Sequence, residues 1–302
     1  MSAVERERKA AKGSEAPAAG KLAPGLWLVA TPIGNLGDAS PRAIATLAAA
    51  DRIAAEDTRS ARRLLSALGI RARRLERYDD HADESDRARL LEAIAGGEAV
   101  ALVSDAGMPL IADPGFKLVR AAREAGLAVT IVPGPSAPLA ALALSGLPSD
   151  RFLFAGFLPA RSGARRAALG ELAPLAATLV FLETGPRLAA SLADMAGTLG
   201  GTRLAAVVRE ITKLFEETRR GALASLAAEY AASGPPRGEI VVVVAPPEAD
   251  EAGADADEID RQLDAALATL SLRDAAAAVA GATGAPRREV YRRALARAQR
   301  PR

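Results

Sequence analysis

Cysteine is absent from the 302 residues, and His81 is the only histidine. Without thiols there is no disulfide framework, thiolate zinc site, iron–sulfur cluster or sulfur nucleophile. A single imidazole argues against a His-clustered metal centre and a Ser-His-Asp triad, so no metal site is expected. His81 itself lies among Asp79, Asp80, Asp83 and Glu84 and reads as an exposed side chain. Aromatics are few, at one Trp, three Tyr and six Phe. That is too sparse for a stacking platform of the RRM kind. No run of about 18 uncharged apolar residues occurs, so no membrane span or membrane partner is expected. The N-terminus, MSAVERERKAAKGSEAPAAG, is charged and lacks the apolar core of a secretory signal. A cytoplasmic location is the expectation. Lysine is scarce too: of 39 basic residues, only Lys9, Lys12, Lys21, Lys117 and Lys213 are not Arg.

What is present fits a globular chain of two lobes with an appendage. Half the residues are apolar, a quarter are charged, and the formal net charge is +2. The near balance hides segregation. Seven Arg fall between Arg59 and Arg77 against Glu76 alone, and seven more between Arg287 and Arg302 against Glu289. Seven acids between Glu248 and Asp260 are unopposed by any base. Each basic block reads either as a solvated helix face or as a site for a polyanion.

Short β-rich runs alternate with helical stretches from Leu26 onward. Strands are expected at Leu26–Ala30, Arg52–Ala55, Val100–Val103, Val129–Val132, Phe152–Ala155, Thr178–Leu182, Leu204–Val208 and Ile240–Val244. Helices are expected at Pro41–Ala50, Ser60–Leu68, Glu84–Ala95, Phe116–Ala125 and Arg187–Leu199, among others. This alternation predicts mainly parallel sheets. The expected organisation is a disordered tail (1–24), a first α/β lobe (25–135) and a second (136–246). An acidic linker (247–256) and a C-terminal helical domain (257–302) of RNA-binding type complete it. In that last domain one helix presents Leu263, Leu267 and Leu270, the next runs from Arg273 to Ala280, and a third presents Val290, Ala294 and Leu295. The turn Gly281–Pro286 makes the last two helix-turn-helix-like.

Open α/β sheets bind ligands at strand ends, and four Gly/Pro-rich segments follow expected strands here. The loop Ala30–Asp38 has Gly34 and Gly37 in the wrong spacing for a dinucleotide fingerprint or a P-loop. It reads as a tight turn or a ligand loop. Ser104–Gly115 is long, and its Gly107–Ile111 stretch suits a ligand with apolar and hydrogen-bonding parts. Asp113 followed by Pro114 reads there as a helix cap and first helical residue. In Val132–Ala137 two prolines stiffen the backbone, and Ser136 either caps the next helix or faces a ligand. The last comprises FLETGPR at Phe181–Arg187 and the run Val208–Glu216. Chemistry also attaches to Glu56 and Asp57, adjacent carboxylates before Arg59. Lys213 is the other notable group, because Lys can shed its proton where Arg cannot.

Taken in order, VATPIGNLGD, AAEDTR, SDAGMPLIADPG, VPGPSA, FLETGPR and REITKLFEE resemble the bacterial 16S rRNA cytidine 2′-O-ribose methyltransferases. These form part of the tetrapyrrole methylase-like superfamily. The likeness runs from about Gly25 to Val244, and the C-terminal helices are similar to that family's own helical domain. Met108 departs from the pattern, which carries Thr there. The resemblance implies two α/β lobes with S-adenosylmethionine in the cleft between them, a homodimer, and a cytidine acceptor in the decoding region of the small ribosomal subunit. It implies cofactor contacts at Pro32, Ile33, Gly107, Met108, Pro109, Leu110, Ile111, Ser136, Ala137, Leu182, Val208, Gly238 and Glu239. RNA would meet Arg59, Arg62 and Arg209, with Arg287, Arg288 and Arg292 from the tail. Glu56, Asp57, Glu210 and Lys213 are the candidates for removing the acceptor's proton. Two alternatives stay open: a superfamily methyltransferase acting on a tetrapyrrole or other small molecule, and a non-catalytic ribosome-binding factor.

Overall fold

The computed structural model describes residues 21–79, 81–247, 256–283, 285 and 287–298. The expected tail up to residue 20 and the acidic linker over 248–255 therefore lie outside the described residues. The chain divides into two compact units. The first is Met1–Ala141 with Arg209–Glu217; the second is Leu142–Val208 with Thr218–Arg302.

In the first unit, β1 (Gly25–Val29), β2 (Arg52–Ala55), β3 (Leu75–Arg77), β4 (Ala99–Val103) and β5 (Val129–Val132) form one sheet in the order β3-β2-β4-β1-β5. Every pairing in it is parallel. Successive strand residues point to opposite faces, and both faces are covered. Ala99, Ala101 and Val103 of β4 pack with Leu47 of α1 (Pro41–Ala49) and Leu65 of α2 (Thr58–Ala67). Val100 and Leu102 pack with Leu90 and Ile94 of α3 (Glu84–Ala95) and Leu118 of α4 (Phe116–Glu124). Leu22, expected in the tail, is buried in the first of these layers.

One helix start and one helix cap differ from expectation. Helix α2 begins at Thr58 because Asp57 caps it, accepting the Arg59 amide at 2.8 Å. Helix α4 begins at Phe116, as its expected range has it, but its N-cap is Gly115, so Asp113 and Pro114 lie in the loop rather than serving as cap and first helical residue. Gly115 holds φ of 131°, far from the helical value, so the helix cannot extend back through it to Pro114.

The second unit begins within α5 (Ala137–Ser145) and contains β6 (Phe152–Phe157), β7 (Thr178–Thr184), β8 (Leu204–Arg209), β9 (Glu217–Ala222) and β10 (Glu239–Val244) in the order β6-β7-β10-β8-β9. Here β6 and β7 are parallel but β7 and β10 are antiparallel, so this sheet is mixed. Hydrophobic alternation marks a strand without fixing its direction. Leu169 of α6 (Ser162–Leu172), Leu188, Leu192 and Met195 of α7 (Gly185–Leu199) and Leu226 of α8 (Leu223–Ser233) cover one face.

Helices α9 (Ala256–Leu267), α10 (Leu272–Thr283) and α11 (Arg287–Ala298) share a small core of Ile259, Leu263, Ala276, Val279, Val290 and Ala294. Leu270 and Leu295, expected on buried faces, are exposed. Helix α9 ends before Leu270, and Ile259 takes the place one turn earlier. Among the described residues no helix is long and apolar enough to cross a membrane.

Candidate active site

A parallel sheet brings all its C-terminal strand ends to one edge, so four loops of the first unit gather there. The loop after β1 and the loop after β4 are stitched by main-chain bonds. Thr31 and Gly107 exchange amide-to-carbonyl hydrogen bonds of 2.9 and 3.1 Å. The Thr31 hydroxyl donates to the Ser104 carbonyl and the Ser104 hydroxyl to the Gly107 carbonyl, both at 3.3 Å. Thr31 and Ser104 had not been singled out from sequence; the signal was a small hydroxyl immediately after an apolar strand.

Gly107 is where a third loop joins. Its φ is +83°, and a Cβ there would stand 3.1 Å from Ile33 Cγ2 and 3.4 Å from the Pro135 carbonyl oxygen. Loops after β1, β4 and β5 thus meet at one residue whose left-handed φ and close neighbours favour glycine. Around it Ile33 and Pro109 are buried, Pro32, Met108, Leu110, Ser136 and Ala137 half-buried, and Ile111 exposed. Leu110 and Ala112 hold φ of 73° and 64°, left-handed values that non-glycine residues seldom adopt.

A distant segment completes this edge. The Lys213 stem lies against Gly34, where a Cβ would come within 2.6 Å of Lys213 Cγ and Cε. Lys213 Nζ donates to Glu210 Oε1 at 2.9 Å, so two of the proton-removal candidates form an ion pair. Arg209, expected on RNA, is engaged with Glu217 at 3.1 Å. On the β2 side, the Asp57 amide donates to Asp105 Oδ1 at 3.3 Å, and Glu56 is half-buried. The Asp57 carboxylate itself caps α2. The Arg59 amide, reinforced by the Arg59 guanidinium, holds its pKa below the ordinary carboxylate value. That makes Asp57 a weak base.

Arg59 and Arg62 lie on one face of α2 with Arg63, and these three line a shallow concavity of about 520 Å³ with Ser66 and Ala67. Three cations in the first two turns of a helix oppose its positive end, so the fold itself gains little from them. In α11, Arg287, Arg288 and Arg292 are exposed, and Arg292 pairs with Glu289. Arg293 and Arg297 instead clamp α9, through Asp260 for both and Asp264 for Arg297. Part of the basic tail is structural.

In the second unit Leu182 is half-buried on β7, and Gly238 and exposed Glu239 stand at the start of β10, where Glu239 pairs with Thr184. Val208 has no exposed surface, so it would back a wall rather than touch a ligand. The FLETGPR segment holds a group not singled out from sequence. Glu183 is buried and accepts the Thr184 amide at 2.8 Å and the Ser191 hydroxyl at 2.6 Å, with Arg187 Nη2 at 3.4 Å. It fixes the turn from β7 into α7.

Residues 25–227 match the model of the Tetrapyrrole (Corrin/Porphyrin) Methylases. This chain belongs to that family. Residues 253–298 match the RsmI C-terminal HTH domain. A protein of Mesorhizobium japonicum called ribosomal RNA small subunit methyltransferase I is 53% identical over 274 residues, which is 91% of this chain and 92% of the relative. The protein of the same name from Erythrobacter litoralis is 54% identical over 274 residues, 91% of this chain and 95% of its own length. The chain is a member of their group of S-adenosylmethionine-dependent methyltransferases. In fold it is similar to a solved diphthine synthase, with a TM-score of 0.54 at 16% identity over 73% of this chain and 89% of that one.

The first-unit edge fits the methylase cofactor. Adenine, a ribose and an amino-acid end call for apolar walls interrupted by main-chain polar groups. Ile33, Met108, Leu110 and Ile111 with the closely stitched backbone at Gly107 supply that combination.

Proposed function

We propose that the chain transfers a methyl group from S-adenosylmethionine to the ribose 2′-oxygen of a cytidine in the decoding region of 16S rRNA. The observation that carries the reading is the convergence of the three loops at Gly107, with Lys213 seated on Gly34 beside them. Pro32, Ile33, the Gly107–Ile111 stretch, Ser136 and Ala137 would hold the cofactor, which supplies an electrophilic methyl on a sulfonium when bound. Met108 then contributes its chain and apolar bulk rather than a hydroxyl.

Displacement at that methyl needs the acceptor oxygen aligned behind it and its proton taken away. Glu210 stabilises the Lys213 ammonium, and the pair acts as a unit at the acceptor, with the Glu210 carboxylate as the proton's destination. Glu56 is the second candidate on this edge. Asp57, spent on capping, is set aside as a base. Arg59, Arg62 and Arg63 on α2 are arranged for phosphates, which position RNA without reading its sequence. The Arg face of α2 together with the outward arginines of α11 suits an extended polyanion better than an uncharged small acceptor. The homodimer, and the assembled 30S particle as substrate, are further parts of the reading supported by the family resemblance.

Mapping ribose methylation on small-subunit rRNA from cells lacking the protein tests this directly. Loss of one 2′-O-methylcytidine in the decoding region, restored by the purified chain with S-adenosylmethionine, is expected. An unchanged methylation map overturns the assignment.

A further inference from the structure

The segment between β8 and β9 is braced by bonds among its own polar groups. Lys213 pairs with Glu210, Arg209 with Glu217, and the Glu216 carboxylate accepts the Thr212 amide at 2.7 Å. Main-chain bonds from Lys213 to Glu210 (3.0 Å) and from Glu216 to Lys213 (3.1 Å) close it further. Glu210 and Thr212 hold φ of 52° and 66°, and Ile211 is buried as the anchor. What this braced turn holds out into water is apolar: Leu214 is 89% exposed and Phe215 66%. A strained, internally bonded turn that presents two adjacent apolar side chains is costly unless something covers them.

The position of the turn bears on what would cover it. Its root, the Lys213 stem, touches Gly34 of the candidate active site, so a molecule seated on the tip is also at the site. Its carboxylates are already satisfied, which reduces their repulsion of phosphates. We infer that Leu214 and Phe215 form a wedge that enters the base stack of the RNA beside the acceptor nucleotide. The inference rests on the rRNA reading above. A stacked nucleotide keeps its ribose tied to the helical backbone, and swinging it out costs stacking and pairing energy. Phe215 fills the gap and stacks on the exposed neighbouring base, as aromatic side chains do with unpaired nucleotides.

Single-turnover methylation of small subunits that lack the modification tests the wedge, using full-length Phe215→Ala, Leu214→Ala and Phe215→Trp chains. Phe215→Ala is expected to slow transfer roughly ten- to a hundredfold, with S-adenosylmethionine affinity by calorimetry unchanged. Leu214→Ala is expected to slow it less, and Phe215→Trp to restore most of the rate. On subunits whose acceptor has been unpaired by mutating the opposing base, the Phe215→Ala penalty should largely disappear. An equal penalty on both substrates, or none on either, overturns the wedge. So does a shift in oligomeric state by sedimentation, which would assign the tip to a second copy of the chain. A wild-type chain that binds S-adenosylmethionine but methylates neither substrate defeats the rRNA reading itself, and the wild-type control separates that failure from the others.

Discussion

Lys213, Glu210 and Asp57 are ionisable residues of one edge, yet their surroundings differ. The Lys213–Glu210 pair sits on the floor made by Gly34, whereas the Asp57 carboxylate is turned back onto the first amides of α2. Lys213→Ala and Glu210→Gln are expected to lower kcat roughly 10²- to 10⁴-fold while S-adenosylmethionine binding holds. Asp57→Ala should instead lower the Tm and leave kcat near wild type at a temperature where the chain is folded. The sign of its pH dependence follows from its lowered pKa. The folded chain binds the Asp57 proton less readily than the unfolded chain. Its stabilisation is therefore present above the ordinary carboxylate pKa and fades as pH falls through the lower, folded value. Thermal unfolding of the two chains from neutral to acid pH should show the Tm gap narrowing. From sequence, Glu56, Asp57, Glu210 and Lys213 looked alike as bearers of chemistry. Their separation depended on hydrogen-bond partners and a distant glycine, which no local pattern encodes.

At the level of elements, hydrophobic runs made the central strands β1, β2 and β4 of the first sheet legible, because strands buried on both faces must be apolar throughout. Strands β3 and β9 escaped notice for the converse reason. Glu217–Ala222 alternates half-buried and exposed residues and carries two arginines, and Leu75–Arg77 is only three residues long. The loops could be found from their Gly and Pro, but their meeting point could not. Gly107 became special only when Ile33 and Pro135, 74 and 28 residues away in sequence, proved to be its neighbours. A methyl group there must adopt φ near +83° and press on Ile33. Alanine lets this loop relax away from φ +83° in the free chain, so restoring the site on binding costs up to the usual left-handed penalty of about 1–2 kcal/mol, and Gly107→Ala is expected to weaken S-adenosylmethionine binding by up to about five- to thirtyfold. Calorimetric titration of the folded variant checks it; unchanged affinity would remove this loop from the cofactor site.

For the whole molecule, charge segregation is the informative quantity, and the structure divides it. The C-terminal arginines have two employments: Arg293 and Arg297 tie α11 to α9, while Arg287, Arg288 and Arg292 face outward. Replacing the outward three by Ala should flatten the salt dependence of small-subunit binding, lowering the slope of log Kobs against log salt by about 2. Replacing Arg293 and Arg297 should chiefly loosen the three-helix module, seen as faster amide exchange in α9. Binding titrations across a salt series distinguish these outcomes. The sequence showed a basic block but not this split, because the acidic partners Asp260 and Asp264 sit a helix and more away from it.

One property of the first unit bears on how the protein is made. Its sheet is complete by Val132, yet residues 209–217 belong to the same compact unit. Synthesis runs from the N-terminus, and sheets can begin to form while the rest of the chain is still being translated. A nascent chain halted shortly after Ala141 would own every strand of that sheet but neither Ile211 nor Lys213. Assembly of the candidate site edge must therefore wait for a segment translated long after the scaffold that receives it.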